Sequence, residues 1–339
     1  MTFLLELKEK LRKFYIKCSD WLLPILKFAL AMLVFVAINN SIGFLPVLKN
    51  IFVLLIMALI CALLSVKMIA IFAGIMILGH CYALGIEVAG IAACILILLF
   101  IFAIRFVEKE ALALIVTPLV CGLGVPCAVP ICYGLKSKPY SAISVCCGTF
   151  VYYLIEMIKE KAPVLQGLEQ TDMLANVRLI LDGIIKNKMM LLSMAVMALL
   201  VIVVYAIRRL SVDHAWSIAI IVGGACYAVL MIAGGIFLDI EVTVISLIIN
   251  VVGGILIGMI LSYFVFSVDY TRTERLEYED DEYYYYVKAV PKMTIGKPQK
   301  KVKTIVMEPG ENILGDNREA AEYDEGDLER KLEESLREL

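Results

Sequence analysis

Between Ala111 and Tyr140 the chain reads ALALIVTPLVCGLGVPCAVPICYGLKSKPY. The run is apolar enough for a bilayer, yet it cannot be one straight helix facing lipid. Pro118, Pro126 and Pro130 each remove a backbone donor, and Gly122 and Gly124 loosen the chain between them. Hydrocarbon offers nothing to an unpaired backbone group, so this piece must be sheltered by other helices or line a wet cavity. A polytopic membrane protein with an interrupted middle segment follows from that requirement.

The rest of the chain agrees. Of its 339 residues, 61% are hydrophobic and only 19% are charged, with a mean hydropathy of +0.88. Soluble domains carry fewer apolar and more charged residues than this. Apolar runs long enough to cross a bilayer recur near 22–42, 47–66, 67–84, 87–104, 140–157, 189–207, 215–237 and 242–267. The expected fold is all-α and polytopic, with about eight transmembrane helices plus a re-entrant or broken segment. A small soluble C-terminal tail should add a β-hairpin and a short helix.

Residues 1–20 place Lys8, Lys10, Arg12, Lys13 and Lys17 against Leu4, Leu7, Leu11 and Phe14, the pattern of an amphipathic interfacial helix. Residues 21–268 form the expected transmembrane domain, including a polar amphipathic loop at 159–188. Residues 269–339 form the tail. Its segments RTERLEYE and EYYYYVKAV flank Asp280-Asp281 as two strands would, and alternating tyrosines in a strand pack one face and wet the other. Near the C-terminus, Leu328, Leu332 and Leu336 share one stripe of a short helix suited to a partner.

Two topologies compete. If the interrupted segment crosses fully, the tail lies outside; if it dips in and returns, the tail is cytosolic. The return places more Lys and Arg inside, including Lys136, Lys138, Arg208 and Arg209. The expected location is the cell membrane, multi-pass, with both termini cytoplasmic.

Net charge of -2 and the lack of a basic, aromatic-interleaved stripe give no reason to expect nucleic acid. The chain has 10 cysteines, mostly within apolar runs, where they act as small buried residues. It contains no P-loop, H-E-x-x-H, G-x-S-x-G or Rossmann fingerprint. A non-enzymatic protein without cofactor or metal is expected, and any ATP-driven activity would need a separate ATPase or other cytosolic partner at the tail.

Ionisable groups within apolar runs are functional candidates. His80 and Glu87, in GHCYALGIE, read either as a proton or cation site or as solvated interface residues, with Gly79 and Gly85 marking a turn. Broken helices expose carbonyls and helix ends to substrates, so Thr117, Pro118, Gly122, Gly124, Pro126, Pro130 and Ser144 are the candidate substrate pathway. The other reading is a kinked helix buried in protein. Asn250 either bonds another helix or lines a path. Gly254-x-x-x-Gly258 permits close helix approach, within the chain or in a homo-oligomer.

Two stretches carry a resemblance: VDYTRTERLEYEDDEYYYYVKAVPK at Val268–Lys292 and GVPCAVPICYGLKSKPYSAISVCCG at Gly124–Gly148. Both resemble an uncharacterised family of bacterial multi-pass membrane proteins, loosely described as permease-like. The resemblance implies neither a substrate nor catalytic residues. The expected function is a permease-like transport component for a small solute, with 111–139 in its pathway. The alternative is a membrane scaffold or assembly factor that recruits partners through its tail.

Overall fold

The computed structural model describes residues 2–106, 111–167, 173–210, 212–266, 274–279 and 283–289. Among them are eleven α-helices and one two-stranded sheet. The first half holds α1 (Thr2–Ile42), a 3₁₀ turn (Pro46–Lys49), α2 (Ile51–Leu63), α3 (Val66–Tyr82) and α4 (Ile86–Phe106). The interrupted segment becomes α5 (Ala111–Gly122) and α6 (Ala128–Lys136). After it come α7 (Ser141–Gly167), α8 (Met173–Ile185), α9 (Lys188–Arg208), α10 (Ala215–Leu238) and α11 (Val244–Phe266).

Among the described residues, five segments are both long and apolar enough to cross a membrane: Trp21–Ile42, Ser141–Val164, Lys188–Arg208, Ala215–Leu238 and Val244–Phe264. Ile51–Leu63, Val66–Tyr82, Ile86–Phe102 and Ala111–Gly122 are apolar but shorter. Such helices suit membrane insertion. The N-terminal stretch and the apolar span that begins at Trp21 belong to one helix: α1 runs through both unbroken, with Pro24 inside.

Among the described residues, two apolar cores form. One joins α1–α4 to α7 and α8 through Phe35, Ile69, Met76, Leu154 and Ile180. The other joins α6, α9, α10 and α11 through Ile131, Leu135, Leu200, Val204 and Ile220. The helix α5 contributes to both, with Ile115 in the first and Ala113 and Cys121 in the second. Glycines set the closest approaches, because a missing Cβ lets backbones meet. Gly234 seats Leu192, and Gly224 seats Ile255.

In the tail, β1 (Glu274–Glu279) pairs antiparallel with β2 (Tyr284–Ala289). The register sets Leu276 opposite Val287 and Tyr278 opposite Tyr285, whose rings stack with centroids 4.8 Å apart. The period of two sends Glu277 and Tyr286 to the other face. The chain divides into Met1–Ile295 and Gly296–Leu339. Leu328, Leu332 and Leu336 belong to the second unit, outside the described residues.

Candidate functional site

The break in the middle segment is a built turn. At the end of α5 the N–H of Gly124 donates to Cys121 O at 3.0 Å, and that of Val125 to Val120 O at 3.2 Å. This pair is a Schellman closure, and it needs a residue with positive φ after the helix. Gly124 supplies it, at φ +78°. Pro126 follows where no helix can continue. Pro130 is the third residue of α6, within the first turn, where its missing N–H has no carbonyl to reach.

The N-terminus of α6 is also satisfied. Ala128 N donates to Val125 O and Val129 N to Pro126 O, both at 3.1 Å. Cys127 N donates to Asn250 Oδ1 at 2.9 Å, and Asn250 Nδ2 donates to Tyr227 Oη at 3.0 Å. The deepest polar side chain of α11 therefore takes up a backbone donor that the turn leaves over. At the other end of α6, Arg208 donates through Nη1 to Leu135 O, and through Nη2 to Ser137 O at 2.9 Å. A cationic fork on the last carbonyls of a helix satisfies them and suits the helix dipole.

Glycines hold α6 in place. A Cβ on Gly254 would come within 2.9 Å of Cys127, one on Gly258 within 2.8 Å of Ile131, and one on Gly134 within 2.7 Å of Val204. The close approach that Gly254 and Gly258 permit is made to α6 of the same chain.

Numbering rises together along α6 and α11, from Cys127 beside Gly254 to Ile131 beside Gly258, so these helices are parallel. The helices α5 and α7 are parallel too. Leu114 and Thr117 meet Gly148, and one turn further along both helices Cys121 lies near Tyr152. For α7 to start level with the beginning of α5, α6 must carry the chain back. The helix α5, about 18 Å long at 1.5 Å per residue, and α6, about 13 Å, thus form a helical hairpin.

Beside the tip of this hairpin lies a cavity of about 660 Å³. Its walls come from α1, α3, α4, α5 and α7, with Pro118, Gly122 and Leu123 contributed by the hairpin. Asn40, Ser41, Tyr152 and Glu156 are its polar residues; the others are apolar. Glu156 also lies 3.7 Å from Lys159 Nζ.

The candidate pathway residues therefore separate. Pro118 and Gly122 line the cavity. Gly124, Pro126 and Pro130 build the turn. Thr117 is fully buried against Gly148 and gives its hydroxyl to Ala113 O at 2.6 Å, while Ser144 is buried as well. The roles of Asn250 and Arg208 were only partly readable, since their partners are distant in sequence.

His80 is not a solvated interface residue: it is 0% exposed. Leu45 N donates to Nδ1 at 3.1 Å, which leaves the proton on Nε2 to donate to Asn39 Oδ1 at 2.8 Å. Asn39 Nδ2 passes a further bond to Leu48 O. Gly79 does not mark a turn; it lies within α3 and makes room for Leu48 of the 3₁₀ turn. Both ring nitrogens are thus engaged by α1 and its following loop, while Glu87 lies in the first turn of α4.

The chain matches no family model, no curated protein and no solved structure.

Proposed function

We propose that α5–α6 is a re-entrant hairpin flanked by eight crossings, α1–α4, α7 and α9–α11, in the cell membrane with both termini cytoplasmic. The directions support this. Lys27 of α1 reaches Leu64 O at the end of α2, and Asn39 near the end of α1 meets His80 near the end of α3. The helices α9 and α10 run antiparallel, as Val204 meets Gly223 and Leu192 meets Gly234. The short α2 and α3 reach across because packed neighbours cover them or the bilayer thins there.

On this frame the protein acts as a permease-like component, as its resemblance suggests, without a bound cofactor or enzymatic step. The observation that carries the reading is the cavity with the hairpin tip in its wall. Asn40, Ser41 and Glu156 then lie toward the outer leaflet and Pro118 and Gly122 nearer mid-membrane. The test compares membrane vesicles holding the wild-type chain with vesicles holding Gly122→Leu, both exposed to a cell extract. Mass spectrometry should show at least one solute accumulated by wild type and lost in the variant. Identical solute profiles would contradict transport.

One observation favours the scaffold alternative: Leu276, Tyr278 and Val287 share an exposed hairpin face. Capture of a defined partner by the full chain, lost on Leu276→Glu, would support it. An ATPase, if one is used, would be found among such partners.

A further inference from the structure

We infer that the cavity beside the hairpin tip takes a single-chain amphiphile with a cationic head, entering sideways from the bilayer; this rests on the permease-like reading. Three features of the cavity set that chemistry. First, the backbone donors at the break offer nothing to an anionic or other acceptor-bearing solute. The donors of the first turn of α6 are taken by Asn250, Val125 and Pro126, and the last three residues of the turn out of α5 bond back onto Leu119, Val120 and Cys121. A solute that needs N–H donors would find those of the break already engaged, so a ligand here must bring its own donors.

Second, the mouth opens through the side of the helix bundle. Leu33 on α1, Ile75 on α3 and Ile97 and Ile101 on α4 line the cavity and are themselves 55–63% exposed. In a bilayer, those residues meet acyl chains, so the mouth admits what is dissolved in lipid. The interior is wide because α3 lines it with Ala70, Ala73 and Gly74, and a Cβ on Gly74 would meet nothing within 4 Å. A volume of 660 Å³ falls within the roughly 300–1,000 Å³ of small-molecule sites.

Third, polarity is confined to a few residues. Asn40 and Ser41 end α1, and Glu156 is the charged residue of the lining. It forms a half-exposed ion pair with Lys159 at 3.7 Å, too long for a hydrogen bond, so its oxygens keep lone pairs that the N–H groups of a head group can reach. An apolar tail toward Pro118 and Gly122, with an ammonium at Glu156, satisfies both parts of the cavity.

The probe is a long-chain alkylamine carrying a diazirine on its tail, applied to the full-length protein in lipid nanodiscs. Photolabelled peptides are mapped with and without excess unlabelled alkylamine, and an alkyl sulfate of equal length is run beside it. Label should concentrate on α3, α5 and α7 and be competed away. Gly74→Leu and, from the α1 part of the lining, Ala37→Leu should each lower it about tenfold with thermal stability unchanged. Gly90→Leu, an open glycine on α4 outside the lining, should leave it unaltered. Glu156→Gln should abolish the preference for amine over sulfate.

Label spread evenly over α10 and α11, or untouched by both filling variants, would overturn the site and leave only annular lipid. Equal labelling by amine and sulfate in wild type would overturn the cationic head. Because labelling needs no flux, a bound probe with no solute movement in the vesicle comparison would remove the transport reading and leave this site standing.

Discussion

The backbone N–H of Cys127 donates to Oδ1 of Asn250 at 2.9 Å, across 123 positions of sequence. Cys127 stands where Pro126 has just broken the helix, and Asn250 is carried in by α11 with Gly253 and Gly254 beside it. Leaving that buried N–H unpaired costs about 1–3 kcal/mol. Asn250→Leu is expected to destabilise the protein by that amount in reversible unfolding from mixed micelles. Tyr227→Phe should cost less, about 1 kcal/mol, since only the Nδ2 bond is lost. The double variant should be less destabilised than the sum of the two. Full additivity would show that the three groups do not act together.

Arg208 closes the other end of α6. Hydrogen bonds to a charged group contribute about 1.5–3 kcal/mol, and a planar fork reaches two carbonyls where a lysine reaches one. Arg208→Met should lower stability by about that amount, and Arg208→Lys should recover part of it. Hydrogen exchange should rise first at residues 135–140 in both. Unchanged protection there would separate Arg208 from the end of α6.

Gly254 and Gly90 are both helical glycines with opposite surroundings. A Cβ at Gly254 would meet Cys127 and the backbone N of Ala128, at 2.9 and 3.1 Å, whereas one at Gly90 would meet nothing within 4 Å. Gly254→Ala is expected to cost about 1–3 kcal/mol by pushing α6 away. Gly90→Ala should be neutral or stabilising by up to about 1 kcal/mol. Thermal unfolding of the two variants side by side reads the difference. Equal effects would mean that α6 does not rest on Gly254.

His80 holds the junction of α1, α3 and the 3₁₀ turn by accepting from Leu45 N and donating to Asn39. His80→Phe should cost about 2 kcal/mol or more, because a backbone donor and an asparagine oxygen both lose partners. Glu87→Gln should change stability little, and the two effects should add. A coupling between them well outside the usual error of about 0.5 kcal/mol would support a shared proton or cation site instead.

The sequence made some of this legible and hid the rest for identifiable reasons. Apolar runs located the helices, and Gly124 with Pro126 located the turn, because both residues act locally on backbone geometry. The tail hairpin was readable from alternation around Asp280-Asp281. Pairings between distant residues were not. Nothing in the neighbourhood of Arg208 distinguishes a helix cap from a connector charge, and Asn250 offers two readings until Cys127 is placed beside it. Gly79 misled in the same way. A glycine that admits a neighbour's Leu48 looks, in one dimension, like one that turns the chain, and the solvated reading of His80 rests on that likeness.

Sidedness at the two ends of the hairpin is the most direct measurement. In a chain with its native cysteines replaced, single cysteines at Ser65, Lys138 and Asp182 are labelled by a membrane-impermeant maleimide in sealed vesicles of known orientation. A returning α5–α6 hairpin places Ser65→Cys and Lys138→Cys on one side and Asp182→Cys on the other. Lys138→Cys labelled from the side opposite to Ser65→Cys would mean that the segment crosses the membrane, contradicting the re-entrant hairpin.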